Sequence, residues 1–123
     1  MALLVLIVDD NEQNAKLARE VLEAAAMRTL SASTAAEGLT LARRRQPDLV
    51  LMDLRLPDLD GLEASRRLRA DEATAHIPIV ALTATPAEEV DDWLEGGSFS
   101  GYIEKPIDVD ELPAQVRRYC LPC

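Results

Sequence analysis

Two apolar runs in this chain end in acid. Residues 3–8 read Leu-Leu-Val-Leu-Ile-Val and stop at Asp9-Asp10, and the run over 48–53 carries Leu49-Val50-Leu51-Met52 into Asp53. Apolar runs this short and unbroken suit strands buried on both faces. Residues 77–82 predict a further strand ending at Thr83, with Pro78 tolerable only near its start. Short extended pieces at 28–32 and 101–104 bring the strands to five. Between them the period changes. Leu17, Ala18, Val21, Leu22 and Ala25 form one stripe of a helix over 13–26. Thr34-Ala35-Ala36-Glu37 has the form of a capping box and opens a second helix to about Arg45, which Pro47 ends. A third helix is expected from Gly61 to about Ala70. Thr85-Pro86-Ala87-Glu88 opens a fourth to about Glu95, stopped by Gly96-Gly97. A fifth runs to about Tyr119. If Asp110 caps it, Pro113 falls in the first turn; if Asp108 does, Pro113 removes an interior hydrogen bond. The later start is expected.

Strict alternation of strand and helix predicts an α/β fold with a parallel sheet covered on both faces by five helices. The 123 residues suffice for one domain spanning 1–123. In open sheets of this kind ligands sit at the carboxyl ends of the strands. Asp9, Asp10, Asp53, Thr83 and Lys105 all fall at predicted strand ends.

Composition narrows the function. The formal charge of −9 argues against nucleic acid, whose backbone needs a basic patch. The dense basic stretch Arg43-Arg44-Arg45 reads as the complement of a helix C-terminus. No apolar run reaches the length of a membrane span, and the N-terminus lacks the form of a signal peptide. Cys120 and Cys123 supply too few ligands for structural zinc and read as reduced cytosolic thiols. The expected location is the cytoplasm, and the expected contacts are proteins or small ligands.

Three carboxylates gathered at one sheet edge repel one another, so a cation must offset them. A hard divalent ion with oxygen ligands is the natural candidate, Mg²⁺ first and Mn²⁺ as an alternative. Each residue alone has a plainer reading: Asp9 and Asp10 as helix caps, Asp53 as a turn residue, Thr83 as a loop hydroxyl, Lys105 as a solvated lysine. Together they form a pattern.

That pattern resembles the response-regulator receiver domain, with its CheY-like, flavodoxin-like sheet of order 2-1-3-4-5. The resemblance rests on Val8-Asp9-Asp10-Asn11, on Leu51-Met52-Asp53-Leu54-Arg55-Leu56-Pro57-Asp58-Leu59-Asp60-Gly61, on 77–84 and on Tyr102-Ile103-Glu104-Lys105-Pro106. Asn11-Glu12-x-Asn14 and Ala75-His76-Ile77-Pro78 resemble stand-alone receivers of the DivK type. The resemblance implies Asp53 as phosphoacceptor. It implies Mg²⁺ held by Asp10 and Asp53, by the Arg55 backbone carbonyl, and by Asp9 directly or through water. Thr83 and Lys105 are implied to stabilise the phosphoryl group, Thr83 and Tyr102 to form a switch, and Lys105-Pro106 to be a cis peptide. The implied partners are a sensor histidine kinase or histidine phosphotransfer protein and a downstream target. The signal is expected to leave through the face made by the fourth helix, fifth strand and fifth helix. Such a domain is a phosphoacceptor that assists its own phosphorylation and dephosphorylation, not an enzyme acting on another substrate.

Against the family's usual spacing, the segment from Thr83 to Gly96 is about one residue short and the loop 97–101 about one long. Phe99 in that loop reads as a packing anchor, and Trp93 as half buried. A haloacid-dehalogenase-type hydrolase needs its nucleophile and acid two apart after the first strand, which Asp9-Asp10-Asn11-Glu12 does not provide. A flavodoxin needs a phosphate loop where this chain has two aspartates. A receiver module excised from a larger hybrid kinase or multidomain regulator is the main alternative.

Overall fold

Strand residues alternate between two faces, and here both faces are apolar. The computed structural model describes residues 2–54, 56–58, 61–83, 99–105 and 107–120. Five parallel strands, β1 (Leu4–Val8), β2 (Arg28–Ala32), β3 (Leu49–Asp53), β4 (Ile79–Thr83) and β5 (Gly101–Glu104), form one sheet of order β2-β1-β3-β4-β5. Four helices are seen among the described residues: α1 (Glu12–Ala24), α2 (Ala35–Arg45), α3 (Gly61–Ala70) and α4 (Leu112–Cys120). The predicted helix over 85–95, with Trp93, lies outside the described residues. The predicted fifth helix is α4.

Every residue of β1, β3 and β4 is buried. Val5, Ile7, Leu49, Leu51, Val80 and Leu82 pack with Ala18 and Leu22 of α1 and Leu112 and Val116 of α4 on one face. Leu6, Val8, Val50, Met52, Ile79 and Ala81 pack with Ala35 and Ala42 of α2 and Ala64 and Leu68 of α3 on the other. The edge strand β2 is buried fully only at Ala32. Phe99 joins the second cluster at 6% exposure, which bears out its reading as a packing anchor.

Helix ends follow local chemistry. Thr34 accepts a hydrogen bond from the Glu37 N–H at 3.2 Å, as its capping box predicts. The cap of α1 is Asn11, whose side chain accepts from the Asn14 N–H at 3.1 Å. Asp9 and Asp10 are therefore not used as that cap. α1 stops at Ala24, two residues short of expectation, and Ala26 takes a left-handed φ of 67°. The late start of the last helix is observed, with Pro113 in the first turn of α4. The carboxylate that organises its approach is Asp108, not Asp110: it accepts from the Asp110 N–H at 2.9 Å and the Glu111 N–H at 3.3 Å.

Gly61 opens α3 directly beneath the end of β3. A Cβ there would collide with the Asp53 backbone oxygen and stand 2.8 Å from the Leu54 Cα. Both obstacles are backbone, so Gly61→Ala is expected to destabilise the protein by about 1–3 kcal/mol, read as a lower denaturant midpoint. Cys120 carries a free thiol 3.9 Å from the Asp48 carbonyl oxygen. Burial, and then the Asp48 charge, push this thiol up to about 11. Less thiolate then forms at any given pH. In a Cys123→Ser background at pH 8, iodoacetamide is expected to alkylate Cys120 roughly 100-fold more slowly than an unperturbed thiol. Alkylation at the unperturbed rate would contradict that environment. Cys123 itself lies outside the described residues.

Candidate phosphoacceptor and cation site

The chain passes from β1 to β2 on one side of the sheet and then to β3 on the other. The carboxyl ends of β1 and β3 therefore flank the point where strand order reverses, which is where open α/β sheets bind ligands. Val8 pairs with Met52, so Asp9 and Asp53 follow side by side on adjacent strands. Thr83 ends β4, and the Lys105 N–H just after β5 donates to the Thr83 carbonyl at 2.8 Å. Four strand ends thus deliver Asp9, Asp10, Asp53, Thr83 and Lys105 to one edge.

The geometry is close and poorly solvated. Asp9, Asp53 and Thr83 are 3%, 6% and 3% exposed, while Asp10 faces solvent. Carboxylate oxygens of Asp9, Asp10 and Asp53 all lie within 4.8 Å of one another. Lys105 Nζ stands 3.0 Å from Asp53 Oδ2 and 3.5 Å from Asp9 Oδ2. It donates a hydrogen bond only to Asp53 in this pair. Asp9 Oδ1 accepts from the Asn11 N–H at 2.9 Å, but its buried Oδ2 has no hydrogen-bond partner among the described residues. Burial raises the Asp9 carboxyl above its ordinary value, and neighbouring Asp53 adds to the rise; the Asn11 N–H and Lys105 oppose it. One ammonium does not offset three carboxylates. A buried carboxylate oxygen without a donor, among three acids, fits a hard cation with oxygen ligands.

Tyr102 is half-buried on β5 and packs against the α2–α3 side of the core. It pairs with Ala81, two residues before Thr83, so Tyr102 and Thr83 share one face of the sheet. Arg55 and Pro106 lie outside the described residues, and with them the predicted carbonyl ligand and cis peptide. The residue that spacing does not flag is Asp58. Its two carboxylate oxygens accept from the Ala35 and Ala36 N–H groups at the start of α2, at 2.8 and 3.0 Å.

The family model for the response regulator receiver domain matches residues 5–117. The chain belongs to the response-regulator receiver family. The polar-differentiation response regulator DivK of Brucella ovis is 40% identical to this receiver over 115 residues, 94% of each chain. Among solved structures, the receiver domain of a sensor histidine kinase from Pseudomonas aeruginosa is 31% identical, with a TM-score of 0.87 over 98% of each chain. That structure carries a magnesium ion in its active-site cleft. The chemotaxis response regulator CheY4 of Vibrio cholerae, at 23% identity, shares the fold with a TM-score of 0.91, covering 98% of this receiver and 100% of that chain. The CheY-like sheet expected from the resemblance is the one observed. No described helix of this receiver is long and apolar enough to cross a membrane.

Proposed function

We propose that Asp53 accepts a phosphoryl group from a phosphohistidine on a sensor histidine kinase or phosphotransfer protein. The reading rests above all on the buried Asp9–Asp53 pair at the strand-order switch, spanned by Lys105. Asp53 is the acid that Lys105 holds by a hydrogen bond at the end of β3. Its carboxylate oxygen attacks phosphorus, the phosphorus–nitrogen bond to imidazole breaks, and the bond's electron pair leaves with the ring. The product is an acyl phosphate, whose hydrolysis restores the carboxylate.

Such transfer depends on alignment and charge neutralisation more than on covalent catalysis by the protein. Lys105 stands where it can contact a phosphoryl oxygen once Asp53 is modified, and Thr83 offers a hydroxyl from β4. Asp9, Asp10 and Asp53, with the Arg55 carbonyl, would hold Mg²⁺. When bound, that ion supplies charge neutralisation to the incoming phosphoryl oxygens. Each chain takes one phosphoryl group, so the role is that of a signalling domain and not of an enzyme turning over a separate substrate.

The added charge supplies the signal. Movement of the Thr83 hydroxyl toward the phosphoryl group vacates space on the face it shares with Tyr102. Inward rotation of Tyr102 then reshapes the surface carried by β5 and α4, where a downstream target would read it; the fourth helix expected on that face lies outside the described residues. A second reading is a receiver module of a larger sensor kinase. It is favoured by the likeness to the Pseudomonas aeruginosa domain, which is such a module.

The test is intact mass after incubation with acetyl phosphate, with and without Mg²⁺. One phosphoryl adduct per chain is expected, and only with the metal. An adduct that forms equally in chelator would contradict the cation's part, and no adduct under any condition would contradict the function.

A further inference from the structure

Among the described residues, the loop between β3 and α3 is fastened both at its base and farther out. At its base the Gly61 N–H donates to the Leu54 carbonyl at 3.0 Å. Farther out, Asp58 reaches across to α2, where Oδ1 accepts from the Ala35 N–H at 2.8 Å and Oδ2 from the Ala36 N–H at 3.0 Å. Those are the first two N–H groups of the helix, which have no acceptor within it. Thr34 already serves the third, at Glu37. A carboxylate from another part of the chain therefore completes the cap, and its charge suits the positive end of the helix dipole. An ordinary helix cap is local in sequence. This one lies 22 and 23 residues from its donors and only five positions after the proposed phosphoacceptor.

We infer that Asp58 is a positioning residue that docks the loop leaving Asp53 onto the N-terminus of α2, so that filling the acidic site and ordering the start of α2 favour each other. The inference rests on the function proposed above. The loop runs from Leu54, next to Asp53, through residue 55 to Pro57 and Asp58. A cation or phosphoryl group bound at Asp53, directly before the loop, restricts where the loop starts, and restricting it presents Asp58 to Ala35 and Ala36. Coupling of this kind is reciprocal: whatever strengthens the clamp tightens binding, and binding tightens the clamp. A cap with a purely structural role would stabilise the fold without answering to the metal.

The experiment combines Mg²⁺ titration by calorimetry with amide hydrogen exchange at Ala35 and Ala36. In the wild type, Mg²⁺ is expected to slow exchange at both amides about 5-fold or more. Asp58→Ala is expected to bind Mg²⁺ about 5-fold more weakly and to lose the Mg²⁺-dependent slowing. Asp58→Asn retains one carbonyl acceptor and should recover part of both effects. Ala36→Pro removes one donor without changing any charge, at an exposed first-turn position where proline is tolerated. It should weaken Mg²⁺ binding in the same direction, and it carries the test if Asp58→Ala does not fold. Wild-type Mg²⁺ affinity in folded Asp58→Ala and Ala36→Pro would overturn the inference. So would Mg²⁺ binding to the wild type with exchange at Ala35 and Ala36 unmoved, and that result would leave the phosphoacceptor function standing. A wild type that takes up neither Mg²⁺ nor phosphoryl would remove both.

Discussion

Asp53→Asn is expected to abolish the phosphoryl adduct completely while leaving the fold intact. The amide has the shape of the carboxylate but no anionic oxygen to attack phosphorus. Two opposed terms govern stability. The variant weakens the hydrogen bond from Lys105, whose acceptor becomes a neutral amide oxygen, and it removes a negative charge from beside the buried Asp9. Lys105 also keeps its 3.5 Å contact with Asp9. The net change is expected to stay within about 2 kcal/mol, read by chemical denaturation. An unfolded variant would void the comparison of adducts, so mass and denaturation are measured on one preparation. A folded Asp53→Asn that takes up phosphoryl at the wild-type rate would place the acceptor elsewhere.

Lys105→Ala is expected to move two properties in opposite directions. The ammonium lies between Asp9 and Asp53, so it should stabilise the incoming phosphoryl charge. Losing one such preorganised group is expected to slow phosphoryl uptake by roughly 10²–10³-fold. The same ammonium competes with a divalent cation for these oxygens. Its removal is therefore expected to tighten Mg²⁺ binding, read by calorimetry. Without metal the variant leaves buried like charges uncompensated and should lose about 1–3 kcal/mol of stability, regained on adding Mg²⁺. A variant with wild-type uptake would show that Lys105 is a structural counterion only, and weaker Mg²⁺ binding would contradict the competition.

The central strands were legible because an unbroken apolar run has few homes other than a doubly covered strand. The runs that become β1 and β3 also carried their acids to the edge where the site forms. Thr34 with Glu37 was legible because a capping box closes within one turn. Phe99 was legible as an anchor, being a large apolar group in a polar loop. Asn11 as the cap of α1 was not, since Asp9, Asp10 and Asn11 are all competent and only the position where β1 ends selects among them. Asp108 replaced Asp110 for the same reason: adjacent acids offer local spacing no basis for choice. Lys105 read alone as a solvated lysine; its role came from family resemblance and its contacts from the fold. Asp58 had no local signature, because its partners lie on a helix more than twenty residues earlier and meet it only once β1 and β3 are paired.

The phosphoryl group is expected on one carboxylate, that of Asp53. Borohydride reduces an acyl phosphate to the alcohol and so marks the acceptor as homoserine. Protein treated with acetyl phosphate and Mg²⁺, reduced in this way and digested with trypsin, should carry that change at position 53, in the peptide between Arg45 and Arg55. Homoserine at position 9 or 10 instead, or unreduced carboxylates throughout, would contradict it.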